Sequence, residues 1–149
     1  MSDPTLYDQD FYAWANEQAA LLRAGQLSAA DIEHIAEEIE SMGKTEKREM
    51  VSRLTVLLLH LLKWQYQQIL RGSSWQTTII VQRLQLADHL DDNPSLRATT
   101  GEIIPRAYRL ALAEAVAETA LPRSTFPAEC PWSFDQIMDA DFWPGEVSH

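Results

Sequence analysis

The stretch LTVLLLHLLKW, residues 54–64, constrains this chain more than any other. A helix lying on a surface shows one apolar stripe, whereas this segment is apolar around most of its circumference, as in a helix with neighbours on several sides. It predicts the central helix of a bundle. The run from Leu54 to Leu62 contains Thr55 and His60 and falls far short of the roughly 20 residues a membrane span needs. Thr45 is placed to cap this helix, which then reaches about Leu70, or ~39 Å at ~1.5 Å per residue.

Helical spacing recurs on both sides of it, and no run alternates long enough to nominate a strand. Asp8 is placed to cap a first helix whose Phe11, Trp14, Ala15, Gln18, Leu21 and Leu22 share a face, with Gly25 as a left-handed stop. Ser28 and Asp31 have capping-box spacing, and Ile32, Ile35, Ala36, Ile39 and Met42 then form a stripe that ends at Gly43. These two helices read as a hairpin, with the central helix antiparallel to the second. Gly72 breaks the central helix, Ser73 or Ser74 restarts the chain, and Trp75, Ile79, Leu86 and Leu90 carry a fourth helix to Asp91-Asp92-Asn93-Pro94. Pro94 opens a fifth segment. Within it Pro105 must lie near a helix start or force a kink, before the strongly helix-forming ALAEAVAETA ends at Leu121-Pro122.

The fold class this predicts is all-α: a compact bundle of about five helices, one domain over 1–149, with a helical core at 1–121 and an arm at 122–149. The arm sets Pro122, Pro127, Pro131 and Pro144 among Phe126, Trp132, Phe134, Phe142 and Trp143, which is too aromatic for a disordered tail. Its rings are expected in the grooves of the bundle, with Ser133 and Gln136 framing one short helix. A chain of 149 residues with 46% hydrophobic content can bury such a core without metal or disulfide staples.

The net charge of -10 repels polyanions and gives no electrostatic footprint for nucleic acid or an anionic membrane. Cys130 is alone, so no disulfide forms within the chain, and a reducing compartment is the simpler setting. MSDPTLYDQD has neither a basic nor an apolar leader region. A cytoplasmic protein is expected.

The pieces YDQDFYAW, AEEIESMG, HLLKWQYQ, SSW, TFPAECPW and DFWPG follow in this order across nearly the whole chain. In these rare aromatic positions the sequence resembles the bacterial family called domain of unknown function 29. The resemblance implies a compact helical bundle found in bacteria, cyanobacteria prominent among them. It brings no activity, cofactor or catalytic residue.

Candidate chemistry must therefore come from the residues. The acidic cluster HIAEEIESMG divides on a helical wheel: Ile35, Ile39 and Met42 go to the core, His34 and Glu37 face away, and Glu38 and Glu40 flank the stripe. The carboxylates do not converge, so this helix alone makes no two-carboxylate acid/base site. His34 and Glu38 are spaced i, i+4, and His60 and His89 could complete a metal site in a bundle, but no HxxxH or ExxH pair supports one. Solvated helix residues are the simpler reading, and no metal or cofactor is expected.

His60 differs because it lies inside the apolar helix, where an unpaired ring nitrogen would cost about 1–3 kcal/mol. Glu38 or Glu40 is the nearest candidate partner in chain order, and such a pair would raise the pKa of His60. Lys44, Lys47 and Arg48 crowd a helix start where cations are disfavoured, with Glu46 and Glu49 interleaved. Ion pairs across that corner are expected. Trp64 and Trp75, with Arg71 and Tyr66, flank Gly72 and are expected to pack as an aromatic corner rather than to stack bases. Cys130 has no adjacent base, and no nucleophile elbow is present.

These features point to an interaction module working with an unidentified protein partner or by self-association, a homodimer being one such form. Its expected cleft is lined by Glu38, Glu40, His60, Trp64 and Trp75. The rival is a metal- or acid/base-dependent hydrolytic enzyme using His60 with Glu38. A nucleic-acid-associated protein using Lys44, Lys47, Arg48 and Arg71 stands third.

Overall fold

Leu54, Leu57, Leu58, Leu61 and Leu62 are fully buried, with Val51 and Leu59 nearly so. No single face of a helix holds all of them, so the segment is enclosed, as its sequence predicts. The computed structural model describes residues 5–145. Among these there are helices and no strand: α1 (Leu6–Gln9), α2 (Phe11–Arg23), α3 (Ile32–Tyr66), α4 (Ser73–Asp92), α5 (Thr100–Thr119) and α6 (Phe134–Met138). Short 3-10 turns occupy Leu27–Ala29, Gln68–Leu70, Pro94–Thr99 and Arg123–Thr125. The chain divides into two compact units, one ending at Thr45 and one beginning at Glu46.

The main departure from the sequence reading is α3. The second and third expected helices are one continuous helix of 35 residues, and Gly43 lies inside it. A glycine in a helix interior costs only about 1 kcal/mol relative to alanine, and no proline follows to enforce a stop. Thr45 is not a cap: its hydroxyl donates to the carbonyl of Ser41 at 2.9 Å, the bond a helix-interior threonine makes to residue i-4. The antiparallel turn that was to bring Glu38 against His60 is therefore absent.

Two N-terminal caps also move. Asp10, rather than Asp8, accepts from Ala13 N–H at 3.0 Å and starts α2. Asp31, rather than Ser28, accepts from His34 N–H at 3.4 Å and starts α3, while Ser28 lies in a 3-10 turn. Gly25 does adopt the left-handed conformation at φ 71°. Its lack of a Cβ makes that conformation cheap.

In the second unit α4 runs antiparallel to α3, because Glu46 meets His89 while Arg53 meets Gln85. α5 runs parallel to α3, since Lys47 pairs with Glu102 and Lys63 with Glu118. Ile79, Leu86 and Leu90 of α4 and Ile103, Ala107, Ala111 and Ala115 of α5 complete the core around α3. Pro105 is tolerated inside α5, near its N-terminal end.

The C-terminal arm docks on this core through buried Phe126, Trp132 and Ile137, with Phe134, Phe142 and Trp143 partly buried beside them. Ser133 and Gln136 form the capping box of α6, as their spacing predicts. Buried Arg83 of α4 ties the arm down, donating from Nε to the carbonyl of Ile137 and from Nη2 to that of Phe142, both at 2.8 Å.

Candidate functional site

In the first unit, Asp31 does more than cap α3. Its Oδ2 accepts from Trp14 Nε1–H at 3.1 Å and from His34 Nδ1–H at 2.6 Å, and its main-chain N–H donates to Gln18 Oε1 at 2.7 Å. The bond to His34 holds the Asp31 carboxyl below its usual range, and the same bond raises the imidazole. Tyr7 stacks on His34 with centroids 4.0 Å apart and donates its hydroxyl to Glu38 Oε1. That bond is the main cause of a Tyr7 pKa pushed up to about 12.

Beside this network, α2 and the first half of α3 leave a shallow groove of about 400 Å³. Phe11, Ala15, Ala19 and Leu22 line one wall and Ile35, Ile39 and Met42 the other, with Trp14, Gln18 and Glu38 also contributing. The stripe expected to enter the core is largely open: Ile39 is 62% and Met42 67% exposed, and Phe11 is half exposed. Periodicity correctly marks the apolar face but does not say what covers it.

Of the residues expected to share one cleft, Glu38 and Glu40 lie in the first unit and His60, Trp64 and Trp75 in the second. Glu38 accepts from Tyr7, and Glu40 is exposed. His60 donates from Nδ1 to the carbonyl of Val56 at 2.8 Å, a partner its own helix supplies at i-4. Burial is the main cause of its lowered pKa, opposite to the shift a carboxylate partner would give. Trp64 meets Trp143, with centroids 4.7 Å apart, and lies under the Arg71 guanidinium at 4.8 Å. Trp75 lies instead under Lys63 Nζ, also at 4.8 Å. Among the described residues no ring pair joins Trp64 to Trp75.

A different convergence lies between α3 and α4. Glu46, Glu49 and buried His89 bring one ligand atom each within 4.8 Å of one another. A hollow of about 230 Å³ beside them is lined by Glu49, Arg53, Gln85, Asp88, His89 and Asp92. Their place in the sequence pairs Glu46 and Glu49 with the interleaved cations. Arg53 does pair with Glu49 at 2.8 Å, but Lys47 reaches Glu102 at 2.7 Å. The missed signal was the i, i+3 spacing of Glu46 and Glu49, which puts both on one helix face. A larger hollow, about 460 Å³, lies between α5 and the arm and is lined by Tyr108, Leu112, Arg109, Arg123 and Cys130 among others. Burial raises the Cys130 thiol pKa, which keeps it protonated and weakly nucleophilic.

Among the described residues no helix is long and apolar enough to cross a membrane. Fold and surfaces thus define an all-α protein with an apolar-floored groove in its first unit and an imidazole–carboxylate cluster in its second. Residues 6–143 match the family model described as Domain of unknown function DUF29, and the chain belongs to that family. Comparisons with curated proteins and with solved structures gave no match.

Proposed function

We propose that the protein is an interaction module whose α2–α3 groove receives an amphipathic helix of a partner protein, with lysine and arginine flanking the partner's apolar face. The exposed apolar floor formed by Phe11, Leu22, Ile39 and Met42 carries this reading. Helix-in-groove recognition uses this kind of surface, with anchors at helical spacing entering an apolar trough. The charge of the partner follows from that of the groove's surroundings. Residues 5–45 hold Asp8, Asp10, Glu17, Asp31, Glu33, Glu37, Glu38 and Glu40 against only Arg23 and Lys44. A basic helix is attracted, whereas a second copy would bring like charges together.

The rival readings have less support. For the acid/base reading, His60 donates to the carbonyl of Val56 and Glu38 accepts from Tyr7. For the nucleic-acid reading, Lys47 is committed to Glu102, and Arg71 donates to the carbonyls of Trp64 and Pro144.

The test is fluorescence anisotropy with two labelled helical peptides that share one leucine face, one flanked by lysine and the other by glutamate. The lysine peptide should bind, weaken as salt rises, and lose about tenfold or more in affinity to Ile39→Glu. No binding of either peptide, equal binding of both, or a dimer in sedimentation that Ile39→Glu dissociates would each overturn the proposal.

A further inference from the structure

His89 is held like a metal ligand. It is only 8% exposed, and its Nε2–H donates to the main-chain carbonyl of Glu46 at 2.8 Å. Such an acceptor behind a ring is what fixes the tautomer of a ligating histidine. It leaves Nδ1 aimed at Glu46 Oε2, 3.7 Å away, and Glu49 Oε2, 3.6 Å away. Both separations exceed a hydrogen bond. A neutral imidazole in this position turns its lone pair toward two anionic oxygens, an arrangement that calls for a positive charge between them.

A divalent ion meets that requirement. Ligand atoms ~2.1 Å from a tetrahedral ion are spaced ~3.4 Å apart, so small side-chain adjustments of Glu46 and Glu49 suffice to enclose one. The surrounding charge is also suitable. Asp88 and Asp92 line the same hollow, and Arg53 is the cation facing it. Arg53 donates from Nε and Nη2 to Glu49 Oε1 and from Nη1 to Gln85, leaving Glu49 Oε2 for another partner.

We infer that Glu46, Glu49 and His89 form a binding site for one divalent transition-metal ion of the zinc class. One imidazole with two carboxylates suits Zn²⁺, Co²⁺, Mn²⁺ or Fe²⁺ better than Mg²⁺ or Ca²⁺, which take all-oxygen sets. Three protein ligands leave room for a water or a substrate atom at the open side of the hollow. The inference is independent of the α2–α3 groove and of any partner.

The test uses the untagged full chain, stripped with a chelator and titrated calorimetrically with Zn²⁺, with Co²⁺ absorption as a spectroscopic readout. One equivalent should bind at ~10 µM or tighter, unaffected by millimolar Mg²⁺ and by His34→Ala. Glu46→Gln, at a partly exposed position, should keep the helical circular dichroism and bind at least about tenfold more weakly. Glu49→Gln should do the same, and His89→Ala should abolish the Co²⁺ bands. Absence of saturable binding to the wild-type chain up to ~100 µM Zn²⁺ would overturn the inference and leave the trio as a polar tie between α3 and α4. Wild-type affinity in both Glu46→Gln and Glu49→Gln would also overturn it.

Discussion

Arg53 engages only one oxygen of Glu49, placing Nε at 3.1 Å and Nη2 at 2.8 Å from Oε1. A carboxylate gripped on one side is fixed in charge and direction while its second oxygen is left for a further partner. The sign of the pH effect follows. Glu49 has a lowered folded pKa, so its contribution is present above the ordinary glutamate value and lost as pH falls through the folded one. In Arg53→Gln the Glu49 carboxyl should titrate at higher pH than in the wild type, read by carbon NMR of the side-chain carboxyl. An unchanged midpoint would mean that the grip is not made in solution.

The continuity of α3 makes Gly43 a test of the fold. A Cβ built at Gly43 meets nothing within 4 Å, and its φ is not left-handed. Gly43→Ala should therefore stabilise the chain by about 0.5–1 kcal/mol, through helix propensity and a less disordered unfolded chain. A left-handed helix stop at this position would give the opposite sign. Urea unfolding midpoints of the two proteins decide between them.

Gly43 also shows where sequence reading reached its limit. The enclosed helix at residues 54–62, the restart at Ser73, the box at Ser133 and the docking of the aromatic arm were legible, because each rests on local chemistry or on apolar surface too extensive to stay wet. Gly43 resembled a stop because glycine is the usual one, yet its ~1 kcal/mol cost is small beside that of ending a long helix whose flanks favour continuation. The cleft built on Glu38 and His60 depended on that stop. Glu46, Glu49 and His89 were hidden for another reason: they meet only once α3 and α4 are paired in register, which no local pattern encodes. Ile39 and Met42 were correctly read as apolar positions, but their exposure is a property of the assembled unit.

The histidines His34 and His60 should titrate on opposite sides of the ordinary value. His34 is raised by its bond to Asp31, and its contribution to stability is full below about pH 6.5 and lost as pH rises through the raised folded value. His60 is lowered by burial, so its contribution is full above about pH 6.5 and lost as pH falls through the lowered folded value. Proton NMR of the ring Cε1–H resonances, assigned with His34→Ala and His60→Gln, should show the two midpoints in that order. A His60 midpoint above that of His34 would mean that His60 has found an acidic partner in solution.

Arg83 links α4 to the arm through two main-chain carbonyls. Its guanidinium is buried, spends two donors on the Ile137 and Phe142 carbonyls and sits 5.5 Å from the centre of the Trp143 ring. Desolvation lowers its pKa, yet an arginine stays charged at any pH the fold survives. Arg83→Ala removes two charge-assisted bonds at once and leaves two carbonyls without a donor, which should cost about 2–4 kcal/mol in urea unfolding. Arg83→Lys should recover only part of the loss, because an ammonium cannot reach both carbonyls in the fixed geometry of a guanidinium. Limited proteolysis tests whether this loss is local to the arm. In Arg83→Ala, cleavage should appear first between residues 122 and 145, while fragments containing α3 to α5 persist. Uniform cleavage across the chain would instead make Arg83 a support of the whole second unit rather than the clasp of its arm.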